Sequence, residues 1–176
     1  MGTAIKPQKV KLIFGLISSD EELFTKTQKL LTGKFGPIDF SSKILPFNLT
    51  DYYREELGKN LKRKFISCQK LIRRESISEI KVFTNKIEKK FSFLRKRRIN
   101  IDPGYLSPGK LILATTKDYG HRLYLKKGIF AEVTLFYKRN SFHPWQWTFP
   151  DYKTESYLEI FNHLYKIYIE QLKRKK

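Results

Sequence analysis

Cysteine is almost missing from this chain. Cys68 stands alone, so no intrachain disulfide can form, and the composition suits a reducing compartment. Long apolar runs are missing too. The longest, Val10 to Ile17, is interrupted by Lys11 and Gly15 and falls far short of the roughly 20 residues that cross a bilayer. Residues 1–11 contain no apolar h-region and no small-residue cleavage site, so we expect no signal peptide, no membrane attachment and a cytoplasmic location. The three histidines, His121, His143 and His163, are not at metal-ligand spacing from one another or from Cys68, and no metal site is read. There is no internal repeat, proline-rich linker or low-complexity block, and the length suits a single domain over residues 1–176.

Acidic residues are scarce, with 17 Asp and Glu against 36 Lys and Arg, a formal net charge of +19. Such a surplus attracts polyanions at long range, whether RNA, DNA or anionic lipid, unless the lysines only reflect composition. They are spread along the whole chain, and the densest clusters are 62–64, 73–74, 95–98 and 173–176. Hydrophobic residues at 40% and aromatics at 15% are enough to build a core, which excludes a disordered chain.

Hydrophobic spacing predicts the elements. Val10 to Ile17 reads as a buried strand. Ser19 to Glu22 reads as a capping box opening a helix that carries Leu23, Thr27, Leu30 and Leu31. Strands are expected over 38–48 and 63–72. A second helix follows from Ile77, Ile80, Thr84, Ile87, Phe91 and Leu94, with Ser76 and Glu79 as its capping box. Ile99 and Ile101 make a short strand stopped by Asp102-Pro103-Gly104. Ser107-Pro108 suits the start of a short helix reaching about Thr116. The expected fold is α+β: a ferredoxin-like β-α-β-β-α-β antiparallel sheet core, extended by a C-terminal β-hairpin and a final helix from about Glu155.

That hairpin can be read for register. Gly128 suits a three-residue Lys126-Lys127-Gly128 loop, which pairs Leu125 with Ile129. Leu123, Leu125, Ile129, Ala131, Val133 and Leu135 then share an apolar face, expected to be core. Arg122, Tyr124, Phe130, Glu132, Thr134 and Phe136 share the other, with Arg122 opposite Glu132. That second face is either a ligand platform or the site of a solvated ion pair.

Gly104 to Leu111 nearly spells a phosphate-binding P-loop, but Leu111 replaces the Ser or Thr that holds Mg²⁺, and Pro108 has no N–H to give a phosphate. A general anion site at the N-terminus of the expected helix, aided by Lys110, is the better reading. His121 could carry a proton beside Arg122. Asp102, Asp51 and Asp151 each close an element just ahead of a turn or loop, where carboxylates cap or bind. Trp145 and Trp147 lie in a Pro-bounded stretch that lines a groove or plugs a core edge.

Several segments together carry a resemblance: Lys9 to Ile17 with Ser19-Asp20-Glu21, Phe35 to Ile38, Asp51-Tyr52-Tyr53, Asn100 to Tyr105, Lys110-Leu111, Ala114 to Lys117, His121 to Leu125, Ala131 to Leu135 and Pro150-Asp151-Tyr152. Over nearly the whole chain the sequence resembles the bacterial "domain of unknown function 4416" family. The resemblance implies a stand-alone cytoplasmic protein and no assigned activity. The resembling segments hold many charged residues at element ends.

From these observations the expected site is a charged pocket for an anionic small molecule, a nucleotide or phosphorylated metabolite. Lys110, Lys117 and Arg122 would meet the phosphate. Asp102 and Glu132 would position the ligand or a Mg²⁺, Asp51 and Asp151 would complete the ligand-binding set, and His121 would be the proton carrier if the site is catalytic. Two alternatives stay open: an RNA-binding module that stacks bases on Tyr124, Phe130 and Phe136, and a non-catalytic interaction or assembly protein. Oligomeric state is not legible.

Overall fold

The computed structural model describes residues 1–174. It is a mixed structure of one nine-stranded antiparallel sheet and four α-helices. In chain order the elements are β1 (Lys11–Ser18), α1 (Glu21–Phe35), β2 (Ile38–Ser41), β3 (Leu45–Pro46), α2 (Arg54–Leu57), β4 (Lys62–Cys68), α3 (Ile77–Lys90), β5 (Asn100–Ser107), β6 (Lys110–Thr115), β7 (Arg122–Lys126), β8 (Ile129–Lys138), β9 (Ser141–Pro144) and α4 (Glu155–Lys173). The strands run β2-β4-β1-β5-β6-β8-β7; β3 also pairs with β4, and β9 pairs with β8.

β1 is buried along its whole length because both faces of the sheet are covered there. Its Leu12, Phe14 and Leu16 join Leu23, Phe24 and Leu31 of α1 and Ile77, Ile80 and Ile87 of α3 in one core. Ile13, on the opposite face, joins Phe65, Leu106, Leu111, Leu113 and Leu135 beneath Tyr157, Phe161, Leu164 and Tyr168 of α4. A third, smaller cluster of Ile17, Phe47, Leu57 and Leu61 fixes the β3–α2 segment against the sheet end.

Several details depart from the sequence-based expectation. Asp20, not Ser19, caps α1, accepting from the Glu22 N–H at 2.9 Å. Ser76 makes no side-chain cap bond to α3, since a 3₁₀ turn at Arg74–Ser76 already leads into it. The expected strand over 38–48 divides into β2 and the two-residue β3. Asp102-Pro103-Gly104 does not end its strand: β5 runs through all three, with Phe14 opposite Pro103. Ser107 to Thr116 is not a helix but the turn and second strand of the β5–β6 hairpin, because Pro108 and Gly109 serve a tight turn as well as a helix start. The anion site at a helix N-terminus therefore has no helix to stand on.

In the β7–β8 hairpin, Lys127 and Gly128 both have positive φ (57° and 70°), the signature of a two-residue type I′ turn, and Leu125 is bulged out of register. Arg122 does lie opposite Glu132. Leu123 and Leu125, however, are exposed and not core, because β7 is the sheet edge. A second bulge, at Val133–Leu135 against Leu111–Ile112, turns Leu135 onto the α4 face, away from the face of Ala131.

Candidate functional site

The α4 face of the sheet is mostly apolar where α4 crosses it, apart from the buried Lys11–Asp39 pair bonded to Gln171 of that helix. Beyond that helix the same face carries Arg63 of β4, Asp102 of β5, and Glu132 and Arg122 of β8 and β7. Register fixes this: Arg122, Glu132, Leu113, Gly104 and Ile13 are opposed in one row across five strands, and Asp102, Gly15 and Phe65 form a neighbouring row. Two polar groups result.

The first centres on Arg63, whose side chain is only 3% exposed. Its Nη2 donates to Asp151 Oδ2 at 2.9 Å and its Nη1 to Asp102 Oδ2 at 3.3 Å. Four rings surround the guanidinium, Phe47, Phe65, Tyr152 and Tyr157, with centroids 5.1, 5.3, 5.6 and 5.9 Å away. Burial alone would push the guanidinium pKa down; the electronegative groups of Tyr152, Asp151, Tyr157 and Asp102 outweigh it and hold the value above normal. Gly15 makes the arrangement sterically feasible, since a Cβ there would lie 2.8 Å from Arg63 Nη1, 3.2 Å from Phe65 Cε1 and 3.4 Å from the Tyr152 hydroxyl. That hydroxyl and Arg63 Nε are buried without a protein partner. Burial raises the pKa of Tyr152, and that of Tyr53 as well, with Asp102 adding to both shifts.

The second group centres on Glu132. One of its oxygens, Oε2, accepts from Arg122 Nε at 2.9 Å and sits 3.2 Å from His121 Nε2; the other accepts from the Thr134 hydroxyl at 3.3 Å. The Arg122 and Glu132 side chains are 5% and 2% exposed, so this is a buried pair and not the solvated one considered from sequence. Arg122 Nη1 also donates to the Lys117 carbonyl at 3.0 Å, which draws the 116–121 loop over the face. The Lys117 ammonium stands 4.2 Å from the Tyr52 ring centroid, and among the described residues no carboxylate lies within ion-pair distance of it. Desolvation, then the nearby Arg122 charge, lowers its pKa. His121 stacks on Trp147 at 5.5 Å and on Tyr119 at 6.1 Å. Trp147 continues onto Trp145 (5.1 Å), Trp145 onto Phe136 (4.5 Å) and Phe136 onto His143 (5.4 Å), a six-ring ladder along the open edge of β8. The Trp147 indole N–H donates to the Val133 carbonyl and the Thr148 hydroxyl to the Thr134 carbonyl, which docks residues 145–148 on the bulge.

The two groups belong to one region. Tyr53, whose ionisation is coupled to Asp102 and Arg63, packs edge-on against Tyr52 at 4.9 Å, and Tyr52 lies under Lys117. The sheet also opens between them. Pro103 has no N–H, and the β5–β6 ladder ends one residue later at Gly104–Leu113, while β5 continues with β1 and β6 with β8. Asp102 sits beside that gap, 22% exposed, with only its Oδ2 engaged by Arg63.

Of the residues singled out by sequence, the structure brings Asp102 and Asp151 together on Arg63, and Arg122, Glu132 and His121 together at the other group, with Lys117 beside Arg122. Two are placed elsewhere. Lys110 begins β6, five residues or about 17 Å from Thr115 at the opposite end of that strand. Asp51 is exposed and paired with Arg54 at 3.4 Å, beside an open groove of about 610 Å³ lined by Asn48, Lys59, Asn60 and Lys62. A smaller recess of about 240 Å³ lies behind Asp151, lined by Phe47, Thr154 and Tyr157. Among the described residues no three His, Cys, Asp or Glu side chains converge as a metal would need. Arg63 was not singled out from sequence, since Lys62-Arg63-Lys64 reads as a solvated basic run. The available signal was Gly15, a lone glycine within an apolar strand, which marks close approach by another group.

An antiparallel sheet with helices on both faces, and a charged floor where one of those faces is uncovered by helix, defines the class of protein: a mixed α and β scaffold with buried ion pairs on one sheet face. The chain belongs to the family described as "Domain of unknown function (DUF4416)", which it matches over residues 8–168. No curated protein and no solved structure matches it at a significant level.

Proposed function

We propose that this protein binds an anionic small molecule, a nucleotide or phosphorylated metabolite, over the sheet face between the Tyr52–Tyr53 turn and the Trp147 segment. The observation that carries the reading is a charge imbalance. Arg122 and His121 share a single carboxylate, Glu132, and Lys117 beside them has no carboxylate within ion-pair distance among the described residues. Arg122 is held rigidly by Glu132 and by the Lys117 carbonyl, leaving its Nη2 free of protein acceptors among the described residues. A fixed guanidinium with an ammonium beside it is a preorganised phosphate receiver. His121, in contact with Glu132 and at the rim, is the proton carrier if the bound molecule reacts.

The test is thermal unfolding with nucleotides and sugar phosphates, with and without Mg²⁺, at high salt. A ligand at 100 times its Kd stabilises the native state by about 2.7 kcal/mol, or roughly 5–10 °C for a chain of this size. A saturable rise in Tm that disappears in Lys117→Ala supports the reading; no rise with any phosphorylated compound refutes it.

The aromatic ladder favours a second reading, an RNA-binding edge with Lys117 at one end and Lys138 and Arg139 at the other. The strand order β2-β4-β1-β5, with α1 and α3 on one face, supports a ferredoxin-like reading of that half. Both tryptophans lie in the ladder, so quenching of intrinsic fluorescence by single-stranded RNA, weakening steeply with salt, tests this reading. The lone, buried Cys68 supports a reducing, cytoplasmic setting. No helix among the described residues is long and apolar enough to cross a membrane.

A further inference from the structure

The site has two unlike ends. At one, Arg122 pairs with Glu132 and the Lys117 ammonium stands nearby over Tyr52, two cations to one anion. At the other, Arg63 faces Asp102 and Asp151, one cation to two anions. From Glu132 to Asp102 is two strand spacings of about 4.8 Å and two residues of about 3.4 Å along the strand, which puts their Cα atoms about 12 Å apart. A ligand that met only the cationic end would leave the acidic end unused.

Asp102 is built for a neutral donor. Its Oδ2 accepts from the Arg63 guanidinium, which it shares with Asp151, and its Oδ1 has no protein donor among the described residues while the side chain stays 22% exposed. Asp151 is held on the far side of the guanidinium, almost fully buried, so it fixes Arg63 and does not meet a ligand itself. The Arg63 clamp is locked by its aromatic box and by the bare backbone of Gly15, where the buried, unpartnered Tyr152 hydroxyl also stands. What the free oxygen lacks is a hydrogen-bond donor, not a counter-ion. A hydroxyl supplies one without a charge to desolvate beside Arg63.

We infer that the ligand is a phosphate ester of a polyol, with its phosphate at Arg122 and Lys117 and a sugar hydroxyl donated to Asp102. This rests on the anion-binding reading above and narrows it. Arg63 is a positioning residue in this scheme: it touches no ligand and fixes the angle of Asp102. The hydroxyl can come from a free phosphosugar or from the ribose of a nucleotide.

The experiment is titration calorimetry of the wild-type protein with ribose 5-phosphate, adenosine monophosphate, the 2-deoxy and 2′-deoxy counterparts of each, and propyl phosphate. The inference expects the hydroxylated ligands to bind at least tenfold more tightly than propyl phosphate, with one of the two deoxy compounds losing most of that margin. Tighter binding of the phosphosugar or of the nucleotide tells the two sources apart, and either supports the inference. Equal affinity for propyl phosphate and its hydroxylated counterparts overturns the role of Asp102 and leaves the anion end standing. No binding of any of the five overturns both. Asp102→Ala should level the series, removing the preference while keeping the phosphate-dependent part; because the ligand comparison is made on the unaltered protein, a poorly folding Asp102 variant would not spoil the test.

Discussion

Gly15→Ala adds one methyl group at the centre of β1, and its effect can be worked from the structure. Gly15 has no left-handed φ, so the cost is steric and not conformational. The new Cβ would lie 2.8 Å from Arg63 Nη1, against a comfortable C···N separation of about 3.4 Å or more. A terminal guanidinium nitrogen at the surface would simply move. Here it is held by Asp102 and Asp151 and boxed by four rings. A retreat of about 0.5 Å would stretch the 3.3 Å bond to Asp102 past hydrogen-bonding distance. A weakened charge-assisted bond costs about 1.5–3 kcal/mol and overpacking about 1–3, offset by up to about 1 kcal/mol from the stiffer unfolded chain. The net expectation is about 1.5–6 kcal/mol, a fall of at least about 0.5 M in the urea midpoint. The decisive comparison is a double-mutant cycle with Arg63→Met, which removes the atoms in conflict: in that background Gly15→Ala should cost under about 1 kcal/mol. Equal cost in both backgrounds would refute the claim that Gly15 exists to seat the guanidinium.

Three further outcomes follow from other contacts. Arg122→Ala should destabilise by about 3 kcal/mol, roughly 6–12 °C in Tm by calorimetry, because it strands buried Glu132; Arg122→Ala with Glu132→Gln should recover part of that loss. Cys68 is fully buried, and burial, then the Asp39 charge, pushes its thiol up to about 12, so thiol reagents at pH 8 should label it only as the chain unfolds, and labelling of the native protein would count against its placement. The Arg97 hydrogen bond holds Glu56 below its ordinary value of 4.5. A depressed carboxylate stabilises above its unfolded pKa and loses that contribution as pH falls through the folded one. The stability difference between wild type and Glu56→Gln, from urea titrations, should therefore be constant above about pH 5.5 and shrink below about pH 4.5.

Much of the fold was legible where one physical signal ruled. β1, α1, α3 and α4 follow from apolar periodicity, and the Arg122–Glu132 opposition follows from strict alternation in the hairpin. What failed was punctuation, where the same residues suit two structures. Ser107-Pro108-Gly109 fits a helix start or a hairpin turn, and only the pairing of β6 with β8 decides. Lys127 takes φ 57° with no glycine to announce it, which hid the two-residue turn and the bulge at Leu125. Pro103 inside a central strand runs against the usual rule, and it is tolerated because the ladder to β6 has already stopped there. At the site, carboxylates at element ends could be picked out individually, but Arg63 was hidden between two lysines. Lys62 and Lys64 alternate to the other face, while Arg63 and Phe65 share the one that closes on Gly15.

The two faces of the sheet offer a comparison within one molecule. Strand residues toward α1 and α3 are apolar through the centre: Leu12, Phe14, Leu16, Ile101 and Ala114. The opposite face is apolar under most of α4, where the buried Lys11–Asp39 pair also bonds Gln171, and beyond the helix it turns to Arg63, Asp102, Glu132 and Arg122, three of which are nearly inaccessible to water. Stability does not call for this. A buried ion pair seldom outperforms well-packed apolar groups of the same volume, and Phe47, Phe65, Tyr152 and Tyr157 already surround Arg63 with the material for such packing. Nor does solubility, which a chain of net charge +19 has from its surface. The charges are held rigid, unequal in sign at the two ends, and next to the place where the β5–β6 ladder stops. On the reading proposed above, the fold keeps that arrangement for a bound ligand that presents an anion to Arg122 and Lys117 and a hydroxyl to Asp102.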